Sequence, residues 1–585
     1  MKRLLLFVHY DRDGMVDDHI LYLLSALVPF RQEAVVIANS PVTEADESRL
    51  LKVADRVVRR ENRGFDFGAW GDLIGEYEFR LEQEFDSLLL VNGTCFGPLF
   101  PLQEMFDAMA DKEADFWGVT QYTGTSSMPE HLQSYFMEIR KPMLTSAEFR
   151  KFFREVGEKC VDFAHAVRLG EAGFSQTMLK AGFKYRSYIE MNDLREARNV
   201  GICEAFSHNC AANLIEKYRL PLVKVKAFAQ VSHAPVFRGD DIINAIRCSK
   251  SAYPEKFIYS FLRRTAPLSW QKNLPGKLLI ADRTDEVVMP SKPLKMAVFF
   301  HCFYPEMLSF AVEYLKNIPV DFDLLVTAPD DSADKDLQLL PEKLPHLQNI
   351  RLLIAENRGR DIAPWLCALP CEEHLQYDVV LKLHLKKTPQ MPEIFTDSWM
   401  KFLYDNLLGS PALVAAVLEN FAVNENIGTV FTPYPPEVTL QCPTAYAGHP
   451  DDAAKGKEIL RRLHLNPPEE SGMPVFGVGT MFYYRPAALE KLFRADWKPE
   501  DFPAEPLPWR GTAAHAMERI IPYIIQAQGY DFRQCIHLDQ LQSAFRKYEN
   551  RVICFTPSLK EALKFVKQAL VTSLHYRLGR FFRRK

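Results

Sequence analysis

The sequence predicts an α/β protein made of two tandem domains, each on a mainly parallel central sheet, with a helical appendage and a C-terminal amphipathic helix. Three observations carry that prediction. The motif Glu-Asn-Arg-Gly-x-Asp occurs twice, as Glu61-Asn62-Arg63-Gly64-Phe65-Asp66 and as Glu356-Asn357-Arg358-Gly359-Arg360-Asp361. Each half opens on a continuous apolar run ending in His, Leu4-Leu5-Leu6-Phe7-Val8-His9-Tyr10 and Met296-Ala297-Val298-Phe299-Phe300-His301. His and motif Asn are 53 residues apart in one half and 56 in the other. Apolar runs of this kind followed by helices suit parallel strands buried on both faces.

The elements follow in matched order. After the opening strands, helices are expected at 18–27 and 306–315, then strands at 34–38 and 322–327. The motif comes next, and a Gly among short polar residues just after a strand suits close approach of the backbone to a ligand. Further strands follow at 85–91 and 377–383. Phe116-Trp117-Gly118 with Thr120 matches 426–432, and 134–140 matches 480–486 with Ser134 at Thr480. Glu171 precedes Gly182 by 11 residues and Glu518 precedes Gly529 by 11, while Arg186 and Arg533 close the copies. Order and spacing describe an internal duplication of one α/β unit.

Punctuation sets the boundaries. The first domain is expected over 1–262, with a mostly helical appendage, 187–262, that lies outside the common core. Pro267, Pro275, Gly276, Pro290 and Pro293 mark a linker over 263–293, because dense prolines favour extended or turn backbone. The second domain covers 294–550 and carries a polar, loop-like insertion near 433–473, either a lid or a surface loop. Residues 551–585 are expected to form the amphipathic helix, with an apolar stripe at Leu559, Leu563, Val566, Leu570 and Leu574 and five cations after Tyr576. That pattern suits a helix on an anionic membrane surface, or a solvated tail.

Bulk properties agree with this picture. The 585 residues are 47% hydrophobic and 25% charged, the balance of a globular protein with ample core. A net charge of −4 offers no global attraction for nucleic acid, and no nucleic-acid partner is expected. Neither a leader nor a run near the ~18 apolar residues of a membrane span is expected. Eleven cysteines without a CxxC pair argue against zinc and against a disulfide framework. The expectation is a cytoplasmic protein with reduced thiols.

Chemistry in such a fold belongs at the carboxyl ends of the strands. His9, Tyr10, Asn62, Gly64, Asp66 and Asn92 are expected there in the first half, and His301, Asn357, Gly359, Asp361 and His384 in the second.

Asn-Arg-Gly-x-Asp, the stretch Tyr-Asp-Val-Val-Leu-Lys-Leu-His-Leu-Lys-Lys-Thr at 377–388, Phe-Gly-Val-Gly-Thr-Met-Phe-Tyr-Tyr-Arg-Pro at 476–486 and Gly-Thr-Ala-Ala-His-Ala-Met-Glu-Arg at 511–519 resemble the rhamnan synthesis F family. The first half resembles it at 91–98 and 133–136, and the likeness runs to about residue 550. The resemblance implies GT-A-like, Rossmann-like domains and a bacterial glycosyltransferase of cell-surface polysaccharide assembly. It implies a nucleotide-sugar donor, dTDP-rhamnose, and a lipid-linked or growing polysaccharide acceptor on the inner face of the cytoplasmic membrane.

A GT-A-like domain ordinarily holds a divalent metal with Asp-x-Asp at the end of a middle strand. Here that strand ends in Asn92-Gly93-Thr94 and in His384-Leu385-Lys386-Lys387. Neither end supplies the metal carboxylates, so no cofactor is expected, and Lys382, Lys386 and Lys387 are the candidates to neutralise a diphosphate. Transfer also needs a base for the acceptor hydroxyl. Glu518 at the start of a helix is the candidate, with His515 on its face, and Glu171 is its first-half counterpart; helix-dipole companionship is the plainer reading of each. Tyr484 and Trp509 are the aromatics expected to stack on an acceptor sugar. The rival class is a non-catalytic scaffold that binds polysaccharide or a partner.

Overall fold

Leu4, Leu6 and Val8 enter one hydrophobic cluster while Leu5 and Phe7 enter another. The opening strand β1 (Arg3–His9) is therefore covered on both faces, as its unbroken apolar sequence demands. The computed structural model describes residues 1–124, 127–191, 210–229, 239–385, 393–436, 450–470, 473–504 and 511–554. The chain divides into two units, Met1–Pro275 and Gly276–Lys585.

In the first unit β1 is followed by β2 (Glu33–Ala38), β3 (Arg56–Arg59), β4 (Ser87–Asn92), β5 (Cys95–Phe96), β6 (Phe116–Tyr122), β7 (His131–Leu132), β8 (Phe136–Arg140), β9 (Tyr185–Ile189) and β10 (Val223–Lys224). The main sheet runs β3-β2-β1-β4-β8-β6, with β9 and β7 both on β6. Pairs among β3, β2, β1 and β4 are parallel, β8 is antiparallel to both neighbours, and β9 is parallel to β6.

The second unit adds β11 (Leu278–Ala281), β12 (Met296–His301), β13 (Phe322–Ala328), β14 (Leu347–Ile354), β15 (Val379–His384), β16 (Ile427–Phe431), β17 (Phe482–Tyr484) and β18 (Asp531–His537). Its order is β14-β13-β12-β15-β17-β16-β18-β11, with β17 the antiparallel member. Apart from β7 and β11, order and direction repeat those of the first sheet. This is the mainly parallel α/β arrangement expected of GT-A-like domains. Among the described residues no single helix is long and apolar enough to cross a membrane.

Register refines the repeat by one residue. Asn92 ends β4 opposite Val8, and His384 ends β15 opposite His301. His301 thus stands where the first unit has Val8, and His9 corresponds to Cys302. A one-residue offset sends a strand side chain to the opposite face, so the two histidines are not equivalent. The same registers place Ser134 at Gly479, not at Thr480.

Three boundary expectations differ from the structure. The linker stretch 263–293 contains β11, which pairs in parallel with β18 at the sheet edge; Leu-Leu-Ile-Ala is a strand sequence hidden between prolines. The appendage is not separate from the core: Ile242, Ile246, Ile258 and Leu262 join the cluster of Leu5 and Phe7. Within the loop-like insertion, Pro450–Arg462 is a helix, and Gly456 lets it approach Ile520 closely. The C-terminal stretch 555–585 lies outside the described residues.

Candidate functional site

Lys382 and His384 are two apart on β15 and so share one face of the strand. Asp361, which ends the motif and immediately precedes the helix Ile362–Cys367, meets that face. Lys382 Nζ donates to Asp361 Oδ2 and, at 3.2 Å, to the Thr480 carbonyl. The Thr480 hydroxyl donates to the same carboxylate oxygen, and His384 Nδ1 lies 3.6 Å from it. Burial opposes charge on Asp361, but His384, Lys382 and the Thr480 hydrogen bond outweigh it and hold the carboxyl well below the usual range. His301, with Nδ1 3.0 Å from the Thr327 hydroxyl, is pushed down to about 4 by burial and is neutral at pH 7.

Glu518 reaches the same place from the helix Ala513–Ala527. Thr512 caps that helix by accepting from the His515 N–H, and His515 Nδ1 is 2.8 Å from the Thr512 hydroxyl. Glu518 is the sixth helical residue, not a first-turn companion of the dipole. Its Oε1 accepts the Gly479 N–H at 2.7 Å and its side chain keeps 16% exposure. Gly479 and Thr480 both have positive φ, +81° and +54°. This turn puts a backbone donor on Glu518 and a hydroxyl on Asp361 from consecutive residues, so it ties the two carboxylates into one cluster.

The first unit repeats the plan with different side chains. Asn92 Nδ2 donates to Asp66 Oδ2 at 2.8 Å, and Asn92 Oδ1 accepts from the Thr94 N–H and hydroxyl. Asp66 has a neutral amide where Asp361 has a cation, and burial pushes its carboxyl up to about 6. Glu171 Oε1 accepts the Ser134 N–H at 2.9 Å, as Glu518 does from Gly479. Glu171 sits in a π-helical stretch, Ala166–Ala172, an irregularity frequent at functional sites. Asn62 is exposed, and its side-chain oxygen accepts from Asn39 at 3.2 Å. His9 Nε2 is 3.0 Å from the Met15 carbonyl, and burial lowers its pKa.

Several expected roles change. Lys382 is 1% exposed and held by Asp361 and Thr480, so it fixes the carboxylate and does not reach a ligand. Tyr484 is fully buried, its hydroxyl accepting from Trp365 Nε1 at 3.0 Å; it is core, not a sugar platform. Gly64 has φ +74°, and a Cβ there would lie 2.5 Å from the Gly157 carbonyl oxygen, so it admits a neighbouring helix. A Cβ on Gly359 would lie 2.8 Å from Phe502, whose carbonyl accepts from Arg358 Nε. Asn357 is exposed beside it. Lys386, Lys387 and Trp509 lie outside the described residues. Sequence reasoning missed Lys224 and Lys226, which nothing local marks, and Thr480, whose Gly-rich setting was a usable signal.

Both motif carboxylates are already engaged by nitrogen donors. Asp361 already holds the Lys382 ammonium, and Asn92 offers Asp66 an amide. Among the described residues no three His, Cys, Asp or Glu side chains gather closely enough to hold a metal.

Comparison with known proteins gives a family and distant neighbours. The family described as rhamnan synthesis protein F matches residues 34–530. The protein y4gN of Sinorhizobium fredii is 25% identical over 166 residues, 28% of this chain and 42% of its own length. The protein WxcX of Xanthomonas campestris pv. campestris is 31% identical over 177 residues, 30% of this chain and 24% of its own length. The chain thus spans less than half the length of these curated relatives. Among solved structures, the glycosyltransferase GlyE of Streptococcus pneumoniae is 13% identical, covering 68% of this chain and 89% of its own, with a TM-score of 0.24. A mannosyltransferase of Pyrobaculum calidifontis, solved with GDP-Man and Mn2+, is 14% identical, covering 48% and 81%, with a TM-score of 0.24.

Proposed function

The chain belongs to the rhamnan synthesis protein F family, and on that premise we propose that it is a glycosyltransferase of polysaccharide synthesis whose second unit transfers rhamnose. The donor is a nucleotide diphosphate sugar, dTDP-rhamnose, and the acceptor a lipid-linked or growing surface polysaccharide. One observation supports this above the others: Glu518 and the Asp361–His384 pair are joined through the Gly479–Thr480 turn at the carboxyl ends of the strands.

Asn357 orients the nucleotide, with Asp361 fixed behind it by Lys382. The acceptor oxygen attacks the anomeric carbon and forms the new C–O bond. The bond from that carbon to the phosphate oxygen breaks, and its electron pair leaves with the diphosphate. Glu518 takes the acceptor proton, and His515, one turn earlier, lines the approach. Lys386 and Lys387 meet the growing charge on the leaving group, a task that needs no resident metal. Trp509 is the remaining aromatic for the acceptor sugar. In the first unit His9, Asn62, Asp66, Asn92 and Glu171 belong to the counterpart cleft.

Glu518→Gln keeps the acceptor of the Gly479 N–H and removes the base. Transfer from activated rhamnose should fall at least about 100-fold while nucleotide binding persists, and the parent chain should turn over in excess chelator. Near-normal turnover of the variant would sink the assignment of the base. Chelator loss restored by magnesium would sink that of the lysines. If no activated sugar supports transfer, the scaffold reading takes over.

The tail 558–585 serves as a weak anchor on anionic lipid at the cytoplasmic face of the membrane, each basic residue contributing about 1 kcal/mol. Deleting 575–585 should abolish co-sedimentation with vesicles containing anionic lipid; unchanged pelleting would remove the anchor.

A further inference from the structure

The two clefts obtain their positive charge differently. Where the second unit has Lys382, strand register gives the first unit Leu90, and where it has His384 the first has Asn92. Asp66 therefore receives no cation from its own sheet. Cations arrive instead from the appended segment. Its strand β10 pairs antiparallel with β5, placing Lys224 opposite Cys95, and the Val225 N–H donates to the Thr94 carbonyl. The segment is thus laced to the turn that follows Asn92.

Lys224 Nζ lies 5.1 Å from the centre of the Tyr135 ring, and Lys226 Nζ 4.1 Å from that of Phe163. Tyr135 follows Ser134, whose N–H Glu171 holds, and Phe163 opens the helical stretch that leads to Glu171. Among the described residues neither ammonium has a carboxylate within ion-pair distance. Lys224 is felt by Asp66, and Lys226 by Glu171. The Lys226 pKa is lowered, first by desolvation and then by Lys224, with Glu171 acting in the opposite direction, so the two ammonium groups are close enough to repel each other. Buried His9 Nδ1, without a partner, faces Gly93 of the same turn.

We propose that the cleft of the first unit binds a phosphate-bearing anion, the diphosphate of a nucleotide, with Lys224 and Lys226 as its cationic contacts. Two ammonium groups supply six N–H donors and two charges, which matches a diphosphate; an ammonium recognises phosphate as a point charge without needing a planar fork. This rests on reading Asp66, Asn92 and Glu171 as a ligand cleft, but not on transfer in the second unit.

The test is calorimetric titration of the full chain with thymidine and uridine diphosphates in chelator, beside lysine acetylation mapped by mass spectrometry. Lys224→Gln with Lys226→Gln should weaken binding at least tenfold or remove one equivalent of nucleotide. Saturating nucleotide should protect both lysines from acetylation in the parent chain, a readout independent of how the variant folds. Affinity and stoichiometry within twofold of the parent, or unchanged acetylation of both lysines, would overturn the proposal. Glu518→Gln should leave this binding intact. A chain that protects Lys224 and Lys226 yet transfers no sugar keeps this site and loses the transferase reading.

Discussion

A single carboxylate shows how its partner sets its behaviour. Asp361 and Asp66 end the same motif, but one meets an ammonium and the other an amide. For Asp361 the folded-state pKa is depressed, so its contribution to stability is present above the unfolded value near 4 and is lost as pH falls below it. For Asp66 the folded-state pKa is raised to about 6, so the fold holds the proton more tightly than the unfolded chain does. Stability then declines as pH rises from about 4 to about 6 and is level above that. Asp66→Asn retains an acceptor for Asn92 and removes this decline. The variant should gain on the parent across that window by no more than about 3 kcal/mol, read from urea unfolding at pH 4, 5, 6 and 7. A stability difference that is flat across those pH values would show that Asp66 titrates as an ordinary surface carboxylate.

Elements explain why the motif glycines stand where they do. The helix Phe65–Glu76 begins at Gly64 in the left-handed region and packs against Ala147–Lys159. Gly64, Gly68 and Gly71 all lie where a Cβ would strike backbone, and Gly157 answers from the second helix, with its own Cβ position 3.1 Å from Gly68 Cα. The close approach is thus made by small residues on both partners. Gly64→Ala adds both a left-handed Cβ and a backbone clash, and should cost on the order of 2–4 kcal/mol, measured by thermal or urea unfolding of the full chain. A loss below about 1 kcal/mol would mean that the helices separate without penalty and that the glycine is kept for a ligand. In the second unit Gly359 serves an analogous close approach, to Phe502 instead of a helix backbone.

At the scale of the molecule, the boundary lies at Pro275–Gly276, and the edge strand β11 belongs to the second sheet. Lys277, just before β11, pairs with Asp531 at the start of β18, and its ammonium also faces the Phe532 ring at 4.6 Å. A fragment over 276–585 keeps these contacts, whereas one over 294–585 exposes the edge of β18 and deprives Asp531 of its lysine. The shorter fragment should unfold at lower urea and aggregate more readily, since an uncovered strand edge is a template for pairing. Equal midpoints and equal solubility would show that β11 adds nothing to the sheet.

The sequence by itself determined the α/β class, the two matched halves and the position of most strands, because continuous apolar runs and motif spacing are local signals. It also brought forward Asp66, Asn92, Asp361, His384 and the two glutamates. Only the tertiary structure decided what each of these touches. Lys382 reads as a ligand contact in a Lys-rich strand end, but its ammonium is consumed by a carboxylate 21 residues away. Tyr484 reads as an aromatic for sugar stacking, yet it is buried with its hydroxyl held by Trp365. His9 and His301 align by eye, but hydrogen-bond register shifts them by one and turns them to opposite faces. Lys224 and Lys226 carry no local mark at all, and reach the cleft only because β10 pairs with a strand well over a hundred residues earlier. Periodicity records which face of an element is buried, but charge pairing and register between distant segments are fixed only when the chain closes on itself.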